Sequence, residues 1–319
     1  SSNSLKYSTK TEILPKFSLS RVGENGSIVY FTASQGYEPG GFNMSNLSGS
    51  DSLFGFDKEE ATSAEIGWKG RSEDGKIRAS LAAFSIAYDD RQIEYQIEDP
   101  NGGGIVEGIV NLGDDFGVIG NEDISSISKG NSYGVELLAQ QKMRSSIYGI
   151  LSATYYYSRF EDNDGKLISS KWDNRFILNM TAGKKFKNNI ELGIKYRYSG
   201  GSPYTPTDLI NSSNKSIWDI NQRGVLDYNL LNTQRLKGQH GLDIRIDKKW
   251  FFKSWSLNAY IDIENILNAK RQLPSEYGID PNLGPLAEGT ENSESTIALY
   301  EIINNSGTVL PSIGLLIEF

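Results

Sequence analysis

Along most of this chain, apolar and polar residues change places at every second position over stretches of about ten residues, which then give way to a short turn or a long polar segment. The final stretch, LPSIGLLIEF, puts Ile313, Leu315, Ile317 and Phe319 on one side and Ser312, Gly314 and Glu318 mainly on the other. Successive side chains of a strand point to opposite faces, so this alternation predicts sheet with one apolar and one polar face. Other stretches read the same way. Ile190, Leu192, Ile194, Tyr196 and Tyr198 oppose Glu191, Gly193, Lys195 and Arg197; Leu242, Ile244 and Ile246 oppose Asp243, Arg245 and Asp247. Trp255, Leu257, Ala259, Ile261 and Ile263 oppose Ser256, Asn258, Asp262 and Glu264, and Phe176, Leu178, Met180 and Ala182 oppose Arg175, Asn179 and Thr181. Residues 76 to 88 are mixed on both sides, and leave open whether Leu81 or the set Phe84, Ile86 and Tyr88 marks the apolar face.

The pattern predicts eleven strands, over 14–22, 27–35, 60–70, 76–88, 131–142, 146–158, 173–184, 189–199, 239–250, 255–266 and 309–319. Their connections alternate. Residues 23–26, 71–75, 143–145, 185–188 and 251–254 are turns of three to five residues, whereas 36–59, 89–130, 159–172, 200–238 and 267–308 are long loops. Sending every long connection to one end is the habit of a transmembrane antiparallel β-barrel, with short turns in the periplasm and long loops outside the cell. The expected fold is therefore all-β, a barrel wall in the outer membrane. The alternative is an eleven-stranded soluble can, whose apolar face would point inward around a buried helix, and no helix pattern is evident.

Only 38% of residues are hydrophobic and no apolar run is long enough for a transmembrane helix, but a barrel hides its apolar band in alternate positions. Aromatic residues favour the water–lipid boundaries. Tyr88, Tyr155, Tyr157, Tyr196 and Tyr198 gather at loop ends, and Trp68, Phe186, Trp250, Phe251, Phe252 and Trp255 at turn ends, which predicts two girdles. Without cysteine there is no disulfide framework and no thiolate chemistry, and the single histidine, His240, opens a strand as a structural or solvated residue. The net charge of -8 argues against a nucleic-acid partner. No signal peptide starts at Ser1, so the chain is expected to be mature, trimmed or partial. Strand parity adds that an odd count leaves the two chain ends on opposite sides, whereas single-chain bacterial barrels have even counts, so at least one more strand is expected upstream. The acids Asp114, Asp115, Glu122 and Asp123, and the DNDG run from Asp162, lack the spacing of a calcium loop and read as turns.

Several motifs name a family. ASQGYEPGGFN (Ala33 to Asn43), ATSAEIGWKG, SYGVELLAQ, YSGGSPYTP (Tyr198 to Pro206), IDIENILNAK (Ile261 to Lys270) and PSIGLLIEF follow one another as similar segments do in TonB-dependent outer-membrane receptors, which the chain resembles over nearly its whole length. It departs at Ile266-Leu267, where the family carries Leu-Phe, and lacks the Tyr that usually follows. The resemblance implies a barrel of about 22 strands plugged by an N-terminal domain. Residues 1–319 would supply its C-terminal portion, with residues 1–13 ending an outer loop. It also implies a transport receptor rather than an enzyme, with no cofactor, embedded in outer-membrane lipid, assembled by the barrel assembly machinery through a terminal signal at Phe319, and energised by the TonB–ExbB–ExbD complex through a plug and TonB box outside this chain. Ligand would meet polar and aromatic residues near the loop ends. Tyr37, Phe42 and Asn43 follow from the irregular turn at Pro39, Gly40 and Gly41, and Arg197, Tyr204 and Arg223 suit an anionic small-molecule ligand such as a ferric chelate. Glu191, Lys195, Asp243, Arg245, Asp262 and Glu264 read as a mutually paired wall facing the plug. Import of a ferric siderophore is the expected function. A glycan or peptide importer of the same family, and a non-transporting surface barrel serving as adhesin or phage receptor, remain the alternatives.

Overall fold

The computed structural model describes residues 11–38, 41–42, 55–56, 58–98, 108–113, 123–161, 165–281 and 296–319. Eleven strands form one antiparallel sheet in the order of the sequence. They are β1 Lys16–Val22, β2 Ile28–Glu38, β3 Glu59–Arg71, β4 Ile77–Glu98, β5 Asp123–Arg144, β6 Ile147–Glu161, β7 Phe176–Lys185, β8 Ile190–Ser199, β9 Gln239–Phe251, β10 Ser256–Glu264 and β11 Leu310–Glu318. Each predicted strand has its counterpart. Among the described residues β1 pairs only with β2 and β11 only with β10, so the sheet is an open wall.

The turn end is built from residues that suit tight reversals. Ser145 and Ser146 both take positive φ, 48° and 70°, which gives the twist that the shortest hairpins need. Asp74 accepts hydrogen bonds from the Ser72 hydroxyl at 2.6 Å and the Lys76 backbone N–H at 3.1 Å, and these hold its carboxyl below the ordinary carboxylate range. Phe252 stacks on Trp255 across the last turn, ring centroids 4.1 Å apart.

One stretch departs from the sequence pattern. β4 and β5 run for 22 residues each, well past the 9–11 or so that a tilted strand needs to cross a bilayer. The segment expected to be a loop over 89–130 is therefore largely strand, and Gly108–Gly113 adds a short strand beside β4. Side-chain alternation lapses after Tyr88, yet the backbone ladder continues through an irregularity between Tyr88 and Arg91 where Asp90 has φ 54°. Asp123 opens β5, while Asp114, Asp115, Glu122 and Asp162 lie outside the described residues.

Register decides which residues share a face. Leu81 stands opposite Trp68, and Ala83 opposite Ile66, so Leu81 continues the apolar face. Phe84, Ile86 and Tyr88 stand opposite Glu65, Ser63 and Ala61 and belong to the polar face. Tyr88 therefore leaves the expected loop-end girdle, whereas Tyr155, Tyr157, Tyr196 and Tyr198 stay on the apolar face, joined by Tyr133 stacked on Tyr157 at 5.2 Å and Phe176 beside Tyr198 at 5.9 Å. At the turn end Trp68 and Trp250 face the apolar side, while alternation puts Phe251 with Ser256 on the polar one.

Among the described residues the buried hydrophobics are Phe160, Trp218 and Leu231, the last two in a loop, while Phe31, Ile66, Leu81, Val135, Ile246, Ile261 and Ile313 of the wall are exposed. A water-soluble sandwich would bury such a face. Among the described residues this sheet has no second layer, so its apolar face fits hydrocarbon.

The polar face is finished with tyrosines laid across glycines of the neighbouring strand: Tyr30 on Gly67, Tyr148 on Gly183 and Tyr260 on Gly314. A Cβ at any of these glycines would run into the ring. Tyr30 and Tyr148 donate from their hydroxyls to Glu65 and Glu191, and the Arg245 guanidinium lies 3.8 Å over the Tyr260 ring. Gly314→Ala should cost about 1–3 kcal/mol by overpacking. Gly193→Ala, where the nearest atom to an added Cβ is 3.8 Å away, should cost much less. Denaturant unfolding of the two variants in detergent checks the difference.

Candidate ligand-binding site

At the loop end two connections fold onto each other and onto the wall. The first, between β6 and β7, carries Asp173, whose side chain is fully buried. Its Oδ2 meets Nη2 of Arg235 at 2.9 Å and of Arg175 at 3.2 Å, and its Oδ1 accepts from the Ser158 backbone N–H at 3.3 Å. Arg235 belongs to the second connection, between β8 and β9, and donates also to the carbonyls of Gly201, at 3.0 Å, and Asp173. Two charge-assisted bonds on one carboxylate, out of water, fix both loops far more firmly than an exposed ion pair would.

Neighbouring contacts complete the joint. Asn232 donates its side-chain amide to the Ser169 carbonyl at 2.9 Å and its backbone N–H to the Thr205 hydroxyl oxygen at 3.1 Å. Leu231 packs on the fully buried Phe160, with Ile168 and Tyr228 around them. Arg175, held at φ 67°, lies 3.8 Å over the Tyr157 ring. Gly200 and Gly201 explain how the second loop enters: a Cβ at either would strike the backbone carbonyl of Asn174 or Leu236. Further along, the helices α1 Leu209–Ser212 and α2 Lys215–Asn221 start at the side-chain caps Asp208 and Asn214. These short helices were not foreseen from the sequence. Trp218 is buried, and the β10–β11 connection joins through the Ile297 backbone N–H on the Ser213 carbonyl at 2.8 Å. In that connection Tyr277 titrates above its ordinary value, first because it is desolvated and then because Glu301 and Tyr204 lie near.

Below this joint the polar face carries paired charges. Arg197 meets Asp243 at 2.9 Å, Arg245 meets Asp247 at 2.9 Å and Asp262 at 3.8 Å, and Lys185 meets Glu191 at 3.6 Å. A hollow of about 240 Å³ between Thr181, Lys195, Asp243, Arg245, Asp262 and Glu264 opens on the same face. Among the described residues no carboxylate or histidine group is arranged to hold a metal ion.

The residues singled out from sequence fall in different places. Arg197 is on the polar face near the loop end of β8, as expected, although its charge is matched by Asp243. Tyr204 pairs with Gln234 in a short ladder that also sets Pro203 beside Arg235. Arg223 is exposed after α2 and makes no ion pair among the described residues. Tyr37 shares the series Val29, Phe31, Ala33 and Gln35, opposite Glu60, and so stands on the apolar-face side of β2 rather than toward the polar mouth. Phe42 is described only as backbone, paired with Gly55, and Asn43 lies outside the described residues. Phe319 is fully exposed beyond β11. Asp173, Arg175, Asn232 and Arg235 were missed, and only the paired glycines at 200 and 201 hinted at a tight loop entry.

The fold and this loop-capped, charge-lined face define a two-faced antiparallel wall of the β-barrel class. Residues 2–266 match the model of the TonB dependent receptor-like β-barrel family, and the chain belongs to that family. No curated protein matches it. Among solved structures it is similar to the ferric yersiniabactin uptake receptor FyuA from Yersinia pestis, with a TM-score of 0.59 and 14% identity over 96% of this chain and 37% of that one. It is also similar to the ferripyoverdine receptor of Pseudomonas aeruginosa bound to ferripyoverdine, TM-score 0.55, 15% identity, 95% and 32% covered. A third is the ferric-catecholate import receptor Fiu from K12 E. coli, TM-score 0.54, 14% identity, 94% and 34% covered. The chain thus spans about a third of the length of these structures.

Proposed function

We propose that this chain is a C-terminal portion of the barrel of an outer-membrane receptor that binds and imports a scarce large ligand, a ferric siderophore in the first place, with energy delivered by the TonB–ExbB–ExbD complex. The observation that carries the reading is a two-faced wall whose long connections pack into a shaped cap at one end. The family is one of receptors that transport rather than catalyse, and the similar structures are named for ferric yersiniabactin, ferripyoverdine and ferric-catecholate ligands. In this reading the loops face the outside, the turns face the periplasm, and Phe319 is read by the barrel assembly machinery. Arg197, Tyr204 and Arg223 present cationic and aromatic groups to an anionic chelate. The test is uptake of radioactive iron presented on a panel of ferric siderophores by cells with and without the receptor under iron limitation. Uptake of one chelate should require the receptor and vanish with a protonophore. Unchanged uptake of every chelate would reject the siderophore assignment. Within a responding system, Arg197→Ala should weaken binding about tenfold, the worth of one charge-assisted hydrogen bond, at unchanged surface abundance.

A further inference from the structure

At the turn end, β7 and β9 each carry two consecutive lysines, Lys184–Lys185 and Lys248–Lys249. Alternation sends one of each pair to each face. The two on the polar face are neutralised within the chain, Lys185 by Glu191 and Lys249 by Glu318. The two on the apolar face meet no carboxylate among the described residues. Lys184 lies 5.1 Å from the ring centroid of Phe186, and Lys248 lies 5.7 Å from that of Trp250 while donating to the Asn188 carbonyl. Register places Lys184 beside Leu192 and Lys248 beside Ile190, where the apolar surface of β8 ends. The apolar face of β7 to β9 bears no acidic residue, and exposed Lys187 in the turn between β7 and β8 adds a third cation.

Lysines beside aromatic rings at the edge of an apolar band sit at headgroup depth, with stems in hydrocarbon and ammonium groups in the interface. There a missing protein counter-charge is supplied by a lipid phosphate. Adjacent strands lie about 4.8 Å apart, so β7 and β9 flank β8 at roughly 10 Å, a span that one phospholipid headgroup bridges. In a chain of net charge -8, an acid-free cationic rim is a local inversion of the overall balance.

We infer that Lys184, Lys187 and Lys248 form a binding site for the phosphate of an anionic phospholipid at the turn-end rim. This rests on the reading of the apolar face as lipid-facing. The test uses the full-length receptor in phosphatidylcholine nanodiscs with spin-labelled phosphatidylglycerol or phosphatidylcholine as probe. The receptor should hold phosphatidylglycerol more tightly by about fivefold for each lysine engaged. The double variant Lys184→Gln with Lys248→Gln should cut that preference to about the fivefold that Lys187 alone supplies, and Lys185→Gln with Lys249→Gln should keep it in full. Equal preference in the first double variant and the wild type overturns the site. So does a lysine-dependent preference for lipopolysaccharide over phosphatidylglycerol in a third set of discs, which would move the rim to the other leaflet. If no immobilised lipid of either kind is seen, the lipid-facing reading itself fails, a result distinct from immobilised lipid without preference.

Discussion

Asp173→Asn should loosen the loop cap while leaving the sheet intact. The substitution keeps an acceptor for the Ser158 backbone N–H but removes the charge that Arg175 and Arg235 share, leaving two guanidiniums against a fully buried amide. Breaking a buried pair by removing one partner costs about 3–5 kcal/mol. Arg175 and Arg235 are 28% and 32% exposed, so solvent screens part of that and a loss of about 2–3 kcal/mol is expected. Nearly all of it should appear locally. The contacts through Arg235, Asn232 and Leu231 hold residues 200–238 to residues 165–175, whereas the β6–β7 and β7–β8 ladders do not pass through Asp173. Hydrogen exchange should therefore speed up by one to two orders of magnitude in those two loops and stay unchanged in β7 and β8. Arg235→Ala should give the same pattern, because it cuts the same link from the other side. Equal exchange in the wild type and Asp173→Asn would show that hydrophobic contacts at Phe160 alone hold the loops.

What the sequence reveals and what it hides have separate physical causes. Strands such as β8 and β11 are legible because one side faces an apolar medium and the other a polar one, so every second residue reports its side. Where that difference of medium ends, the signal ends. β4 continues beyond Tyr88 on backbone hydrogen bonds, which leave no side-chain period, and the segment reads as loop although it is strand. Phe84, Ile86 and Tyr88 mislead for another reason: they are apolar residues on the polar face, and only pairing with β3 assigns them. The turn after Tyr37 directs it to the mouth, whereas simple counting from Phe31 puts it on the other side, where register places it. Of the candidate site, Arg197 was legible from alternation. The Asp173–Arg235 link joins residues 62 apart across two loops, and nothing in their local sequence separates them from other loop charges.

The division of faces yields the second large effect, and register refines where it should be greatest. A charge on the lipid side of a barrel costs about 2–4 kcal/mol at the midplane, falling to about 0–1 near the interfaces. Ile194 is the fifth of the ten residues of β8, flanked on the apolar face by Ala182 and Ile244, so Ile194→Arg should show the full cost. Leu192 lies one apolar-face rung nearer the turn, beside Lys184, so an arginine there can reach the headgroup level and should cost less. Glu191→Gln on the polar face loses the Lys185 contact but exposes no charge to hydrocarbon, and should stay within about 1 kcal/mol. The expected order of destabilisation is Ile194→Arg, then Leu192→Arg, then Glu191→Gln, measured as denaturant midpoints of the full-length receptor folding into lipid vesicles. Equal losses for the first and last would mean that the exposed isoleucines and leucines of this wall do not meet lipid. The reverse order of the first two would place the bilayer centre closer to the turns than the aromatic rims at Trp250 and Tyr198 imply.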